Sequence, residues 1–372
     1  MMISTMLLLA FSALDWEAMQ SEIVRLYNAG RFAEAEASLR RASPLVSGLD
    51  RTDPGIARHW NNAAAVAHAR GRYAEAEAAY GQALQWWESQ ERTRDKDYAR
   101  TLNNLASMHR VKGRLLEAER LCRQAIALSR PGDDGAQFLF NLAEILRGLG
   151  ELDKAEQTAL DGLAMVGEES SLVRAHLLQN IALLRLAQGD LPVAESRQVR
   201  AMELFRDLLP ARHHLQASAA SNLSQILMAQ GRMMEAKPQL DRALELFREM
   251  LGPEHPTVAT ALNNLGQWHC KQDDLAAAEP ALRGAIRIWQ RAYGRNHPDI
   301  AKGLYNLGAL FQRQGKLRGA EALYREALEV SETVLKPAHR LTAMILGNLA
   351  QVYEAQQRKT EAERVRGRLS LR

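Results

Sequence analysis

The chain has 372 residues, of which 47% are hydrophobic, 25% charged and only 6% aromatic, a composition that supports a buried core and excludes bulk disorder. The net charge of +4 is small for this length, which disfavours a dedicated nucleic-acid binder, because such a protein concentrates basic residues in a block or stripe. Ala, Leu, Glu, Arg and Gln dominate the sequence, and these residues lose little entropy in a helix, so an all-α fold is predicted.

The chain opens with an apolar segment, MMISTMLLLAFSAL, over residues 1–14. It is too short to cross a bilayer as a helix, so no stable membrane span is predicted. Two interpretations stay open: a secretory signal peptide, although the usual Lys or Arg of its n-region is missing, or an N-terminal cap on the fold. The compartment, cytoplasmic or exported, is therefore left open.

From residue 15 onward the sequence repeats itself. The clearest marker is an Asn followed by an apolar and then a small residue. It occurs at Asn62, Asn104, Asn141, Asn180, Asn222, Asn264, Asn306 and Asn348. Successive spacings are 42, 37, 39, 42, 42, 42 and 42 residues. This regularity predicts one solenoid over 15–372 instead of separate globular domains.

Each marker is followed at fixed distances by two further small residues. Nine positions on, a Gly stands in every unit except those with Asp273 and Gln357, as expected where a helix ends at positive φ. Five residues later an Ala always follows, for example Ala76 and Ala320. The pattern predicts a hairpin of two helices that approach closely where small side chains meet. Because one hairpin cannot bury its own apolar face, neighbouring hairpins must stack.

These units resemble tetratricopeptide repeats, in the longer form of the kinesin light chains, most clearly over Leu251–Ala301. The resemblance implies an all-α solenoid, a right-handed superhelix of about nine hairpins. The units are predicted at approximately 16–56, 57–98, 99–135, 136–174, 175–216, 217–258, 259–300, 301–342 and 343–372. A period of 42 exceeds the standard 34 by about eight residues, which we assign to a longer second helix. No heptad coiled coil precedes the repeats, so the chain need not be a motor subunit.

The resemblance also implies that the first helix of each unit lines a concave groove. The eight Asn residues share one face there, and a side-chain amide carries a donor and an acceptor that match a peptide bond. Five basic residues on that face, Arg58, Arg100, Lys271, Lys302 and Arg313, oppose one acid, Glu144. We therefore predict a polar, mildly positive peptide-binding groove. The alternative is that the Asn amides are structural and bond to the adjacent repeat.

Three other patterns are assigned structural roles. His213, His255, His297 and His339 recur every 42 residues, but residues one repeat apart lie too far from each other to share an ion, so no metal site is predicted, and the His213–His214 pair is expected to be solvated. Glutamates that recur at one phase, such as Glu36, Glu77 and Glu195, are interpreted as a solvated helix face. Trp87, Phe205, Phe247 and Trp289 are predicted to lie in the core.

No catalytic motif or cofactor signature is found: the P-loop, HExxH and GxSxG patterns are all missing from the sequence. The predicted function is a non-enzymatic scaffold or adaptor that binds a protein or peptide, which could be acidic. No cofactor, small-molecule substrate or nucleic acid is expected. Two alternatives are kept: a sensor subunit of a separate signalling enzyme and, with less support, an RNA-binding helical repeat protein.

Overall fold

The computed structural model describes residues 16–129, 134–168, 170–336 and 338–370, the side chain of Ser370 excepted. This part of the chain forms nine successive helical hairpins, which confirms the all-α solenoid. The first helices of the hairpins, called A helices, are α1 (16–28), α3 (Gly55–Ala69), α5 (Lys96–Val111), α7 (Gly135–Gly148), α9 (Leu172–Gln188), α11 (His214–Ala229), α13 (Pro256–Lys271), α15 (Pro298–Arg313) and α17 (Arg340–Ala355). The second helices, called B helices, are α2 (Phe32–Ala42), α4 (Tyr73–Ser89), α6 (Leu115–Leu128), α8 (Leu152–Val166), α10 (Leu191–Leu208), α12 (Met233–Leu251), α14 (Leu275–Tyr293), α16 (Leu317–Val334) and α18 (Lys359–Ser370); a 3-10 helix, Ser43–Gly48, follows α2.

The extra residues of the longer period lie in the B helices, as predicted. Helices α12 and α14 have 19 residues each, whereas α6 has 14 and α8 has 15. The two short spacings in the sequence therefore correspond to short B helices. Differences in repeat length thus lie mainly in the B helices, and the groove-lining faces of successive A helices stay in register.

Small residues allow the A and B helices of each hairpin to approach closely. Ala76 and Ala320 are fully buried, and a Cβ added to Gly308 would lie only 2.8 Å from the Tyr324 ring. A larger side chain at these positions would push the two helices apart. The aromatic side chains predicted for the core, such as Trp87 and Trp289, are also buried, which confirms that prediction.

Several of the recurring glutamates join successive hairpins, so the interpretation as a solvated face is wrong for them. These glutamates stand early in a B helix and pair with a basic side chain just before the next B helix, and the bond fixes the spacing of adjacent hairpins. The pairs include Glu36 with Arg70 at 2.6 Å, Glu77 with Lys112 at 2.6 Å, Glu195 with Arg232 at 2.6 Å and Glu321 with Arg358 at 2.7 Å. Glu36 is only 8% exposed. Glu119 and Glu279 instead pair with an arginine four residues later in their own helix.

The four histidines with 42-residue spacing begin the A helices α11, α13, α15 and α17. In each, Nδ1 accepts the backbone N–H two residues later, at 3.1 to 3.2 Å. This bond caps the helix N-terminus. Because Nδ1 is the acceptor, the proton of the neutral ring is on Nε2, which is free to donate elsewhere.

The Nε2 atoms point to hairpins far back in the sequence. His213 donates to the Asn28 carbonyl at 3.2 Å and His297 to the Val111 carbonyl at 2.7 Å, across 185 and 186 residues. His255 and His339 face the equivalent carbonyls of Ala69 and Gly148. A nearly constant offset of this kind means that the solenoid completes one turn and its edges meet. We call this contact line the seam, between a first turn (α1 to α8) and a second turn (α11 to α18).

The seam also corrects the expectation for the histidine pair. His213 is 1% exposed and stacks near His214, with ring centroids 4.4 Å apart, so the pair is not solvated. Burial lowers the pKa of His214 to about 3 and that of His255 to about 4, which keeps both rings neutral. The period that suggested metal ligands therefore reflects helix caps and contacts along the seam, with hydrogen bonds across it from His213 and His297.

Candidate binding groove

A groove of about 1270 Å³ opens on the A helices of the first turn. We call it the N-terminal groove. Its wall combines side-chain amides with charged groups, contributed mainly by α1, α3, α5 and α7. The lining includes Gln20, Arg25, Asp53, Arg58, Asn61, Asn62, Lys96, Asp97, Arg100, Asp134 and Gln137. Three of the predicted site residues, Arg58, Asn62 and Arg100, are therefore brought together here.

The N-terminal groove is electrically balanced, which corrects the predicted positive charge. Arg58 Nε donates to Asp97 at 2.7 Å, Arg100 pairs with the same carboxylate at 3.0 Å, and Arg100 also pairs with Asp134. These arginines lower the pKa of Asp97 against the opposing effect of its burial. Asp97 and Asp134 each stand seven residues before a marker Asn, which places them on the same helix face two turns back. The predicted charge did not include these two positions because they lie at or just before the helix starts.

The Asn ladder bonds from each hairpin to the one before it. Seven of the eight side-chain amides donate one N–H across about one repeat: Asn62 to Gln20, Asn104 to Asn61, Asn141 to Asn103, Asn180 to Glu144, Asn264 to Ser221, Asn306 to Asn263 and Asn348 to Tyr305 and Tyr324. This geometry favours the structural alternative for that N–H. Contact of the remaining amide groups with a ligand stays a prediction.

Burial divides the ladder into two sets. Asn141, Asn180 and Asn264 are less than 9% exposed, so the closed solenoid shields them from a ligand. The half-buried amides are those of Asn62, Asn104, Asn222, Asn306 and Asn348. Among the described residues, Asn222 has no side-chain hydrogen-bond partner. The equivalent acceptor for Asn222 in the preceding hairpin would be the side-chain oxygen of Gln179, and this oxygen is also unpaired.

The partners of the ladder carry a sequence signal that the Asn marker alone did not use. The residue just before the marker accepts the bond in four hairpins, as Asn61, Asn103, Ser221 and Asn263 do. The doubled Asn at 61–62, 103–104 and 263–264 is therefore one acceptor and one donor in register. The three remaining predicted basic residues do not line the N-terminal groove: Lys271 and Arg313 end α13 and α15, and Lys302 lies inside the second turn.

The described residues contain neither a helix that could span a membrane nor a metal-binding cluster. No described helix combines the length and apolarity needed to cross a membrane. Three or more His, Cys, Asp or Glu side chains nowhere converge in a metal-binding arrangement within the described ranges.

The fold is shared with solved helical-repeat structures of low sequence identity. The Rap conjugation gene regulator of the plasmid pLS20, in complex with the Phr* peptide, is 14% identical, with a TM-score of 0.63 over 86% of this chain and 96% of that one. A Rap protein complexed with competence and sporulation factor is 15% identical, with a TM-score of 0.59 over 93% and 99%. The APC/C hetero-tetramer Cut9-Hcn1 has a TM-score of 0.59 at 17% identity, over 90% and 56%.

Sequence comparison gives the family directly. No curated protein matches the chain, but two family models do. The tetratricopeptide repeat model matches residues 215–283, 257–333 and 299–365, and the MalT-like TPR region model matches 56–220. Because these matches together extend from residue 56 to residue 365 and agree with nine stacked hairpins, the chain belongs to the tetratricopeptide repeat proteins.

Proposed function

We propose that the chain is an interaction scaffold or adaptor that binds an extended segment of a partner protein in the N-terminal groove. The groove itself carries this proposal. Its volume of about 1270 Å³ exceeds the range of roughly 300 to 1,000 Å³ that is typical of small-molecule sites. The amides of Gln20, Asn61 and Gln137 on its wall can pair with the main chain of an extended segment.

The Asn ladder enters this proposal only through its accessible members. Each half-buried Asn keeps its carbonyl oxygen and a second N–H after bonding to the preceding hairpin, and these groups can meet a peptide bond. Each such hydrogen bond contributes about 0.5 to 1.5 kcal/mol net, while ordering a flexible segment costs several kcal/mol. We therefore expect affinity in the micromolar range.

Acidic character in the partner would be recognised by local exchange of ion pairs. Arg58 is the most accessible cation of the pairs described above, with 53% of its side chain exposed. A partner carboxylate can compete with Asp97 for it without uncovering a buried charge, because Arg100 still holds Asp97. Such exchange affects specificity more than affinity.

The Rap conjugation gene regulator was solved with a bound peptide, and binding of a peptide segment is likewise part of our proposal for this chain. A sensor subunit of a separate signalling enzyme would use the same groove, and its hallmark would be an enzyme among the captured partners. RNA binding has less support, because the acids in the groove interrupt any basic stripe among the lining residues.

The test is affinity capture from the native organism followed by mass spectrometry, with two matched variants. Arg58→Gln combined with Gln137→Ala changes the groove, while Arg206→Gln combined with Gln157→Ala changes exposed sites on B helices. We expect the groove variant to lose specific partners with unchanged helicity and melting temperature, and the control to retain them. Equal partner recovery by both variants would contradict the proposal.

A further inference from the structure

A second cleft, of about 520 Å³, lies on the seam and is separate from the N-terminal groove. We call it the seam cleft. The first turn contributes Arg110, Glu144 and Arg147 to its lining, and the second turn contributes Thr260 and Asp299. These residues are 113 or more positions apart in sequence between the two turns, so the cleft exists only when the seam is closed.

The first-turn side of the seam cleft holds two guanidinium groups on one carboxylate. Arg147 donates to Glu144 at 3.2 and 3.3 Å, Arg110 lies 3.7 Å from the same carboxylate, and Asn180 donates to it at 2.6 Å. The Nε atom of Arg110 is buried without a hydrogen-bond partner. The single carboxylate of Glu144 therefore compensates the charges of two guanidinium groups.

A third cation, Lys302, lies beside the cleft and not on its lining, one helical turn beyond Asp299 and within electrostatic reach of Arg147. Lys302 is half-buried and forms no hydrogen bond or ion pair with the described residues. Burial lowers the pKa of the Lys302 ammonium, and the nearby charge of Arg147 lowers this pKa further. The carboxylate of Asp299 raises it in part. The nearby histidines stay neutral, because burial lowers the pKa of His68 and His255 to about 4.

The lining of the seam cleft carries two positive charges, Arg110 and Arg147, and two negative ones, Glu144 and Asp299, and Lys302 beside it adds a third positive charge. The arginines and Lys302 are half-buried. Excess charge on half-buried side chains is costly, and a bound anion relieves that cost. The volume is in the small-molecule range, and the rings of Tyr73 and Tyr293, 5.5 Å apart, offer apolar contact beside the charges.

We propose that the seam cleft binds an anionic group, a carboxylate or a phosphate, through Arg110, Arg147 and Lys302, and that this ligand holds the two turns together. The site uses none of the residues assigned to partner capture in the N-terminal groove. Because the ligand binds the closed form only, it stabilises the seam by mass action. Failure of the scaffold proposal would leave this site unaffected.

The test is calorimetric titration and thermal unfolding of the full chain with inorganic phosphate and, separately, succinate, each against sodium chloride at equal ionic strength. The stronger of the two probes identifies the anion class. Lys302→Met should weaken its binding about tenfold, since it removes a cation and leaves Glu144 paired. Glu144→Gln or Asp299→Asn should strengthen binding, because each removes a competing negative charge.

Lys271→Met is the matched control, since Lys271 is an exposed lysine on the neighbouring A helix α13, and its affinity should equal that of the parent chain. The proposal is overturned if neither probe binds beyond the salt control, or if Lys302→Met and Lys271→Met bind equally. It is also overturned if both charge-removing variants fail to bind more tightly. Having two such variants keeps the result decisive should one of them not fold.

Discussion

The loops between A and B helices have the same backbone in both turns of the solenoid but different surroundings. In the first turn they end at Gly30, Gly71, Gly113 and Gly150, all at positive φ, and a Cβ added to any of them would lie 2.6 to 3.5 Å from a His, Pro or Met side chain of the second turn. In the second turn, Gly231 and Gly315 have nothing within 4 Å of such a Cβ, and Asp273 and Gln357 adopt φ of 62° without being glycine.

The difference separates two reasons for glycine. The left-handed conformation alone favours glycine but tolerates Asp or Gln at modest cost. A close approach of another chain segment further disfavours a side chain, most strongly at Gly113, where an added Cβ would lie 2.6 Å from Pro298. Asp273 and Gln357, the two residues that replace this glycine, thus lie in second-turn loops that contact none of the described residues of the other turn across the seam.

The strongest way to break the comparison is to open the seam. Replacing His213, His255, His297 and His339 together by Asn keeps a good N-cap but removes the ring nitrogen that reaches the first turn. Two hydrogen bonds, those of His213 and His297, are lost at about 1 kcal/mol each, and all four sites lose the packing of a ring, so we expect roughly 4 kcal/mol less stability. Small-angle scattering should show a larger radius of gyration, with helical circular dichroism unchanged.

The control for this variant is His269→Asn, since His269 lies on α13 away from the seam and its ring contacts Asp274 at 3.2 Å. It should keep the compact radius. An unchanged radius in the fourfold variant would contradict a seam held by these histidines.

The hairpins could be predicted from sequence because every unit carries its own signals, from the Asn marker to the Gly and the paired Ala. The seam could not. The seam depends on the small rotation between adjacent hairpins, added up over more than four hairpins. The sequence of a single hairpin does not determine that total rotation. The period of His213 and its equivalents was visible, but its partner carbonyls, such as that of Asn28, belong to the backbone and leave no mark in the sequence.

The groove shows the same limit on a smaller scale. Arg58, Asn62 and Arg100 were found because they share the helical phase of the marker. Asp97 and Asp134 stand on the same face, each seven residues before a marker Asn, but at helix starts, whose position the repeat marker does not fix. The predicted excess of positive charge was wrong for that reason, because these two acids balance the arginines.

A second prediction compares equivalent glycines of the two turns. Gly113→Ala places a Cβ 2.6 Å from Pro298 in addition to the left-handed strain, so we expect a loss of about 3 kcal/mol. Gly315→Ala meets only the strain, and a loss of about 1 kcal/mol is expected. Urea unfolding midpoints measure both. Equal losses would show that the seam does not crowd Gly113.

A third prediction uses pH. The pKa of His255 is about 4 in the fold, below the ordinary value near 6.5 in an unfolded chain, so its contribution is complete above about pH 6.5 and is lost as the pH falls through about 4. Linkage gives a loss of about 2 kcal/mol at pH 5 for this residue. Unfolding at pH 8 and pH 5 should show a smaller loss in the fourfold Asn variant. An identical pH dependence would exclude the seam histidines as its source.

The smallest expected effect concerns a loop of the second turn, which makes no contact across the seam in the described part of the chain. Gln357 is exposed and holds φ of 62°, so Gln357→Gly removes left-handed strain at a site where nothing else depends on the side chain. After subtracting the entropy that glycine loses on folding, we expect a gain of about 0.5 kcal/mol, measured by thermal unfolding. Gln351→Gly, in the middle of α17, should instead cost about 1 kcal/mol. A loss at both positions would mean that backbone strain at the loop is negligible, and crowding by the second turn would then be the sole reason for glycine in the first.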